Sequence, residues 1–365
     1  MAVGVEAEVA TTDDDGPGRR MPESGAADVR AIDGMQVRLF PKQTELYKVS
    51  MPFRHWIRAH AADYDVVHVH ALFSFCSVVA ARAARRARVP YIVRPLGVLR
   101  AYGLARRRPW LKRVSLRFVE GPLLGSAAAV HFTSDEERMD ARKLVPPDRA
   151  VVIPIGIDLS AGTTGPGRGA RVARERAAPR ILFIGRLDPV KNVESLIDAV
   201  PAILARLPGA TLWIGGSGDA SYVSNLHRRS DELGVKAAVR WLGHVQGEAK
   251  AELLAEADLF VLPSHSENFG VAAAEALAAG VPCVLGKGVG IARQVAAAGA
   301  GASVEATPAG IAEGILGMLT NASRPRSASA AARRLAETEF SSRRMGIELA
   351  SLYERVVAEQ RARRA

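Results

Sequence analysis

Only two cysteines, Cys76 and Cys283, occur in 365 residues, far apart and in apolar runs. That excludes a disulfide framework and a cysteine-based metal site; the pair reads as reduced core thiols of a cytoplasmic protein. Aromatic residues make up 5% of the chain, so the aromatic-rich basic groove of a nucleic-acid-binding protein is missing. No apolar run is long enough to span a bilayer. The opening residues are mixed and already acidic at Asp13, which does not fit a secretory signal.

What is present in excess is positive charge. The net charge is +11 at pH 7, and arginine greatly outnumbers lysine. Such a balance suits an anionic partner such as nucleic acid, an anionic membrane or a phosphorylated substrate, although a GC-rich coding sequence produces the same excess. The length fits two domains of ordinary size. After Arg180 the apolar runs "RILFIGRL", "ATLWIGG", "VRWLGHV", "ADLFVLPS" and "PCVLG" alternate with helical stretches such as "VESLIDAVPAILARL" and "EAKAELLAEA". Near-continuous apolar strands between helices predict a parallel sheet covered on both faces. The first half repeats the theme in "VEAEVATT", "MQVRLF", "DVVHVH", "PYIVRP", "AAVHFTS" and "AVVIPI". The expected division is a first α/β domain over 1–159, a Gly-rich basic linker over 160–176, a second α/β domain over 177–340, and a charged amphipathic helix over 341–365 packing back on the first domain. The expected fold is α/β, two doubly wound domains facing across a cleft, with ligands at the carboxyl ends of the strands.

The stretch "HSENFGVAAAEALAAGVP" places Glu267 and Glu275 eight positions apart among small residues. It follows a buried strand, and Gly280 with Pro282 ends its helix, which begins near Asn268 to Gly270. Gly270 leaves the amides of Phe269, Gly270 and Val271 approachable, and free amides with a helix dipole make an anion site suited to a diphosphate. Eight helical residues rise about 12 Å, so the two carboxylates can grip opposite ends of one ligand: a hexose at Glu267 and a ribose at Glu275. "FIGRLDPVKN" adds Arg186 as a guanidinium fork and Lys191 as a point charge for phosphate oxygens. "WIGGSGD" adds Gly216, Ser217 and Gly218 where backbone can approach a ligand.

Together, "GRLDPVKN", "IGGSGD" and "LPSHSENFGVAAAEALAAGVP" resemble the donor domain of a family 4 retaining glycosyltransferase with the GT-B fold (glycosyl transferases group 1). Glu267 and Glu275 match that family's Glu-x7-Glu signature. The resemblance covers the second half well and the first more loosely, through "DVVHVH" and "HFTSDEER". It implies a metal-independent enzyme in which Arg186 and Lys191 neutralise the leaving nucleoside diphosphate of a UDP- or GDP-sugar. It implies further that Glu267 contacts the sugar and Glu275 the ribose. Asn268, Phe269, Gly270 and Val271 would hold phosphate and sugar oxygens, and "RWLGHV", with Leu242, would lie beside the base. Configuration would be retained by front-side attack on a glycan or lipid-linked acceptor, in cell-surface polysaccharide synthesis.

"TTDDDG", Asp13 to Asp15, looks like an Asp-x-Asp metal clamp but reads as a polar turn. His68 and His70 alternate along one strand without a third metal ligand. His131 ends a strand expected to face the cleft and is a candidate contact; otherwise it is a packed strand-end histidine. The family's usual His-Gly pair is replaced by Leu96 and Gly97, which shifts that role to Arg94 or His131. The first domain also lacks the expected opening strand, glycine-rich loop and helix, roughly thirty residues. This leaves "EVATT" and "DVVHVH" as exposed neighbours. "RRARVP" and "YGLARRRPWLKRVSLRFVEGPLL" concentrate arginines around Trp110, Leu111, Val114 and Phe118, a basic amphipathic surface able to rest on anionic lipid, or equally a solvated basic face. The leading expectation is a cytoplasmic hexosyltransferase, with peripheral contact to the inner face of the plasma membrane as an added option. A GT-B-shaped nucleotide-sugar-binding scaffold is the alternative, and a nucleic-acid-binding protein ranks last.

Overall fold

The computed structural model describes residues 4–16, 18–21, 28–32, 34–105, 109–159, 178–321 and 324–364. The expected linker over 160–176 lies outside the described residues, as do Arg106, Arg107 and Arg108 of the basic segment. The chain divides into two compact units, one of residues 1–153 with 346–365 and one of residues 154–345. Each has its own buried apolar cluster.

In the first unit the strands form two sheets rather than one. β1 (Glu8–Thr12), β2 (Asp28–Ile32) and β3 (Met35–Phe40) make a three-stranded sheet in the order β1-β3-β2, with β2 antiparallel to β3. β4 (Val67–His70), β5 (Tyr91–Arg94), β6 (Ala129–Phe132) and β7 (Ala150–Val152) make a parallel sheet in sequence order. Among the described residues β1 and β4 each have a ladder partner on one side only, and they lie in different sheets, not side by side as expected of "EVATT" and "DVVHVH". Asp13, just past β1, is fully buried and accepts the Lys42 amide at 2.7 Å, while Asp14 meets Lys42 and Lys48 at 2.7 and 2.8 Å. Asp13 and Asp14 are thus held by partners within the first unit.

Three side chains stitch the parallel sheet to the helix Ser342–Ala362, whose residues from 346 onward belong to this unit. His131 Nε2 lies 2.9 Å from the Ile153 carbonyl, His131 Nδ1 3.4 Å from His68 Nε2, and His68 Nδ1 2.8 Å from the Tyr353 hydroxyl. A carbonyl only accepts, so His131 carries its proton on Nε2. It must then accept from His68 Nε2–H, and His68 in turn accepts from Tyr353. With both rings neutral, one tautomer of each satisfies the chain. Burial, reinforced by the neighbouring Arg94 charge, pushes His68 down to about 2 and His131 to about 4.

The second unit is a single six-stranded parallel sheet. It comprises β8 (Arg180–Ile184), β9 (Thr211–Gly215), β10 (Val239–Gly243), β11 (Leu259–Leu262), β12 (Cys283–Gly286) and β13 (Gly301–Val304), in the order β10-β9-β8-β11-β12-β13. The inner strands are buried on both faces: all four residues of β11 and of β12 are inaccessible, as their unbroken apolar runs require. The chain winds outward in one direction from β8 and in the other from β11. Loops leaving these two neighbours therefore diverge and open a crevice at their carboxyl ends.

The histidine chain makes the first unit acid-labile. Both rings sit below the ordinary value near 6.5, so the unfolded state binds more protons once pH falls below about 6.5. Stability is complete above that pH and declines beneath it, with a slope approaching about 2.7 kcal/mol per pH unit for two protons. Thermal melts between pH 7.5 and 5, above the carboxylate range, will show this decline. A flat melting temperature would mean that the rings are already accessible to protons.

Candidate active site

The crevice beside β8 and β11 collects most of the residues singled out in the sequence. The loop after β8 runs Gly185–Asn192. Asp188 caps a short 3₁₀ turn, Pro189–Lys191, accepting from the Val190 amide at 3.0 Å. Asn192 closes that turn and opens the helix Val193–Arg206 in a left-handed conformation, φ 57°. It is 4% exposed, and its amide nitrogen donates to Pro263 O at 3.2 Å and Ala306 O at 2.9 Å. His265 N donates to Val190 O at 2.9 Å. The bonds to Pro263 and His265 fasten the loop after β8 to the loop after β11, and the bond to Ala306 ties it to the segment after β13.

The result brings Lys191 Nζ into an ion pair with Glu267. The Glu267 backbone is itself locked to the next loop: its amide donates to Gly288 O at 2.9 Å and its carbonyl accepts from Gly290 N at 3.0 Å. Glu267 is therefore a loop residue. The helix proper is Val271–Ala278, with Gly270 at its N-cap, φ 104°, and no side chain capping it. Glu267 and Glu275 are thus not joined by eight helical residues, and the 12 Å helical rise expected between them does not apply. The first amides of this helix lack intrahelical acceptors, and Val271, 43% exposed, leaves them near solvent. Phe269 contributes only backbone, because its ring is buried edge-on against Phe340 at 5.3 Å. Glu275 lies one turn into the helix and pairs with Lys250 of the helix Gly247–Glu256.

The glycines after β9 are packed against neighbouring loops. A Cβ on Gly216 would overlap the Gly185 carbonyl, and one on Gly218 would overlap the Leu187 carbonyl. Leu187 N donates to Ser217 O at 2.9 Å, and Gly216 N to Gly243 O at 2.6 Å. The close approach is of loop to loop, which stacks the turns after β8, β9 and β10 behind the site. Arg186 stays open at 71% exposure, its nearest carboxylate Asp188 at 3.9 Å. Leu242 is half-buried against the second core beside Trp241.

His131 is not part of this set. It belongs to the other unit, is fully buried, and has both ring nitrogens engaged, so the packed strand histidine is what the structure contains. Leu96 is 40% exposed in a left-handed conformation, φ 57°, and the following Gly97 amide donates to the buried carboxylate of Glu137. Among the described residues no group of three His, Cys, Asp or Glu is placed to hold a metal ion. Sequence reasoning missed Lys250, which no motif distinguishes from other helical lysines. It also passed over Asn192, although an Asn ahead of a helix was a readable signal.

The second unit is thus a doubly wound parallel sheet that gathers Arg186, Lys191, Glu267 and the start of the helix Val271–Ala278 at its switch point. The chain matches the family described as Glycosyl transferases group 1 over residues 171–335 and the Glycosyl transferase 4-like domain over residues 1–156. It belongs to the group 1, family 4-type glycosyltransferases, and its fold is that of their GT-B members. It is 30% identical over 249 residues to D-inositol 3-phosphate glycosyltransferase 2 of Catenulispora acidiphila, covering 64% of this chain and 57% of the relative. A stretch of 106 residues is 46% identical to an uncharacterised glycosyltransferase of Methanocaldococcus jannaschii, 29% of this chain and 26% of the relative. The chain thus spans about half or less of the length of these curated relatives. Among solved structures it is similar to sucrose-phosphate synthase from Thermosynechococcus elongatus, with a TM-score of 0.76 and 21% identity over 98% of this chain and 90% of that one. It is also similar to Anabaena HepE solved with UDP, with a TM-score of 0.72 and 21% identity over 87% and 86% of the two chains.

Asn192 is the weak point of this assembly. Asn192→Ala removes two buried hydrogen bonds and puts a Cβ-bearing residue without local compensation in the left-handed region, at about 2–4 kcal/mol in all. Asn192→Gly restores the conformation but not the bonds and will lose less. Urea unfolding of both variants measures the difference, and parental stability in Asn192→Ala would show that the clamp does not hold the loops together.

Proposed function

We propose that this chain is a glycosyltransferase that moves a hexose from a UDP- or GDP-sugar to a glycan or lipid-linked acceptor with retention of configuration. The observation that carries the reading is the Lys191–Glu267 pair at the switch point, beside the uncapped helix at Gly270. A diphosphate laid against the first helix amides would meet Lys191 and Arg186, which spread the charge that grows as the glycosidic bond breaks. Lys191 then stands between phosphate and carboxylate, and Glu267 is held by its backbone where a sugar hydroxyl would donate to it. Glu275 would take the ribose, sharing its carboxylate with Lys250. Leu242 and its neighbours would flank the base, and Gly216, Ser217 and Gly218 would form the rear wall. With the charge supplied by side chains and amides, the reading needs no metal ion.

The family setting supports a cytoplasmic role in cell-surface polysaccharide synthesis. No helix among the described residues is long and apolar enough to cross a membrane. The helical segment from Pro109 to Glu120 exposes Trp110 and Phe118 at 67% and 71%, with Lys112, Arg113 and Arg117 on the same stretch. That combination supports peripheral contact with an anionic membrane face.

Titration with UDP, GDP and ADP and their sugars tests the assignment. Glu275→Ala will weaken nucleoside diphosphate binding by about 1.5–3 kcal/mol, the loss of hydrogen bonds to a charged acceptor. Glu267→Ala will depress transfer while leaving affinity for the free nucleoside diphosphate equal or higher, because Lys191 is released toward phosphate. Unchanged nucleotide affinity in Glu275→Ala would remove the ribose from that position. Tight nucleotide binding without transfer to any acceptor would favour the scaffold reading.

Transfer will also survive EDTA. Loss of turnover on chelation, restored by magnesium or manganese, would contradict the metal-independent reading.

A further inference from the structure

The first unit has a basic site of its own, at the amino ends of the strands of its parallel sheet. A cavity of about 170 Å³ opens where the chain enters β5, β6 and β7, lined by Pro90, Ala127, Ala128 and Arg149 just ahead of those strands. Ligand crevices of parallel sheets lie at the carboxyl ends, so this one is separate from the sheet's usual site. Arg85 and Arg88 reach it from the end of the helix Phe75–Arg86, and Arg363 from the C-terminal helix. Glu359 is the only carboxylate in the lining, so four guanidinium groups face one negative charge, a surplus of three positive charges.

The cluster is built rather than scattered. Arg149 is braced by the carbonyls of Gly125 and Ala127, the latter at 3.2 Å. Gln360 of the C-terminal helix and Arg364 just past its end donate to the Arg88 carbonyl, Gln360 at 3.0 Å. Ser126 adds a hydroxyl to the same lining. Forked donors converging from a strand entrance and two helix ends match the several oxygens of a phosphoryl group, which guanidinium binds in paired hydrogen bonds.

We propose that this cavity binds a polyanionic phosphoryl group, supplied either by a soluble phosphate or by a phosphomonoester lipid headgroup. Its occupant would join the C-terminal helix to the sheet entrance by relieving the repulsion between Arg363 and the arginines opposite.

The test uses the full chain with UDP in excess to occupy the donor crevice. Calorimetric titration with inorganic pyrophosphate should show binding that Arg85→Gln/Arg363→Gln weakens at least ten-fold, since both side chains are solvent-exposed and their loss spares the fold. Arg82→Gln/Arg86→Gln removes the same charge from the same unit outside the cavity and should bind as the parent does. Flotation with phosphatidate vesicles separates the two sources. Loss of flotation in Arg85→Gln/Arg363→Gln assigns the lipid headgroup, and parental flotation assigns the soluble phosphate. Equal pyrophosphate affinity in the parent and the cavity variant overturns the proposal, as does an equal loss in the control pair or no binding to the parent.

Discussion

Asn192 is the residue on which the candidate site depends. Two parallel strands wound in opposite directions send their loops apart, and something must hold those loops at a fixed separation before side chains on them can act together. One buried carboxamide holds them through Pro263, together with the His265 amide bond to Val190, and its second bond, to Ala306, anchors the same loop to the segment after β13. Its own backbone is left-handed, a conformation Asn tolerates better than most residues. Lys191 is the preceding residue, so the cation's position follows from the clamp. Glu267 is fixed independently by backbone bonds to Gly288 and Gly290. The ion pair is thus held from both ends by backbone, which is the preorganisation that electrostatic stabilisation of a leaving group requires.

Much of the second unit was legible in the sequence because its strands are buried on both faces and its loops carry charged or small residues in fixed places. Arg186, Lys191, Glu267, Gly270 and Glu275 all fall on loops or the helix start at the carboxyl ends of strands, where the alternation of apolar runs and helices put them. The reasons attached to them were less secure. Gly216 and Gly218 are glycines because neighbouring carbonyls fill the space a Cβ would need, a contact between residues some thirty positions apart that no local pattern reveals. Lys250 meets Glu275 from another helix for the same kind of reason.

The first unit was harder to read. β2 is five residues, "DVRAI", half charged in character, and becomes a strand by hairpin pairing with β3 rather than by its own apolar content. The second unit has one such case: β13, "GASV", is a weak strand former, and ladder bonds to β12 make it one. His131 illustrates the converse. Its place at a strand end was visible, but whether a strand-end histidine faces ligand or core depends on partners such as His68 and Ile153, which lie 63 and 22 positions away.

The Tyr353–His68–His131 chain also bears on the order in which the protein is made. The first unit needs residues beyond 346 to complete its hydrogen bonds, while the second is continuous from 154 to 345. During synthesis from the amino terminus, β4 to β7 emerge early but wait for about two hundred further residues before Tyr353 arrives. The second unit can close in that interval. Until those residues arrive, the histidine pair and the Arg88 carbonyl lack their partners from the Ser342–Ala362 helix and the residues just past it, so the sheet that is translated ahead of the second unit is completed after it.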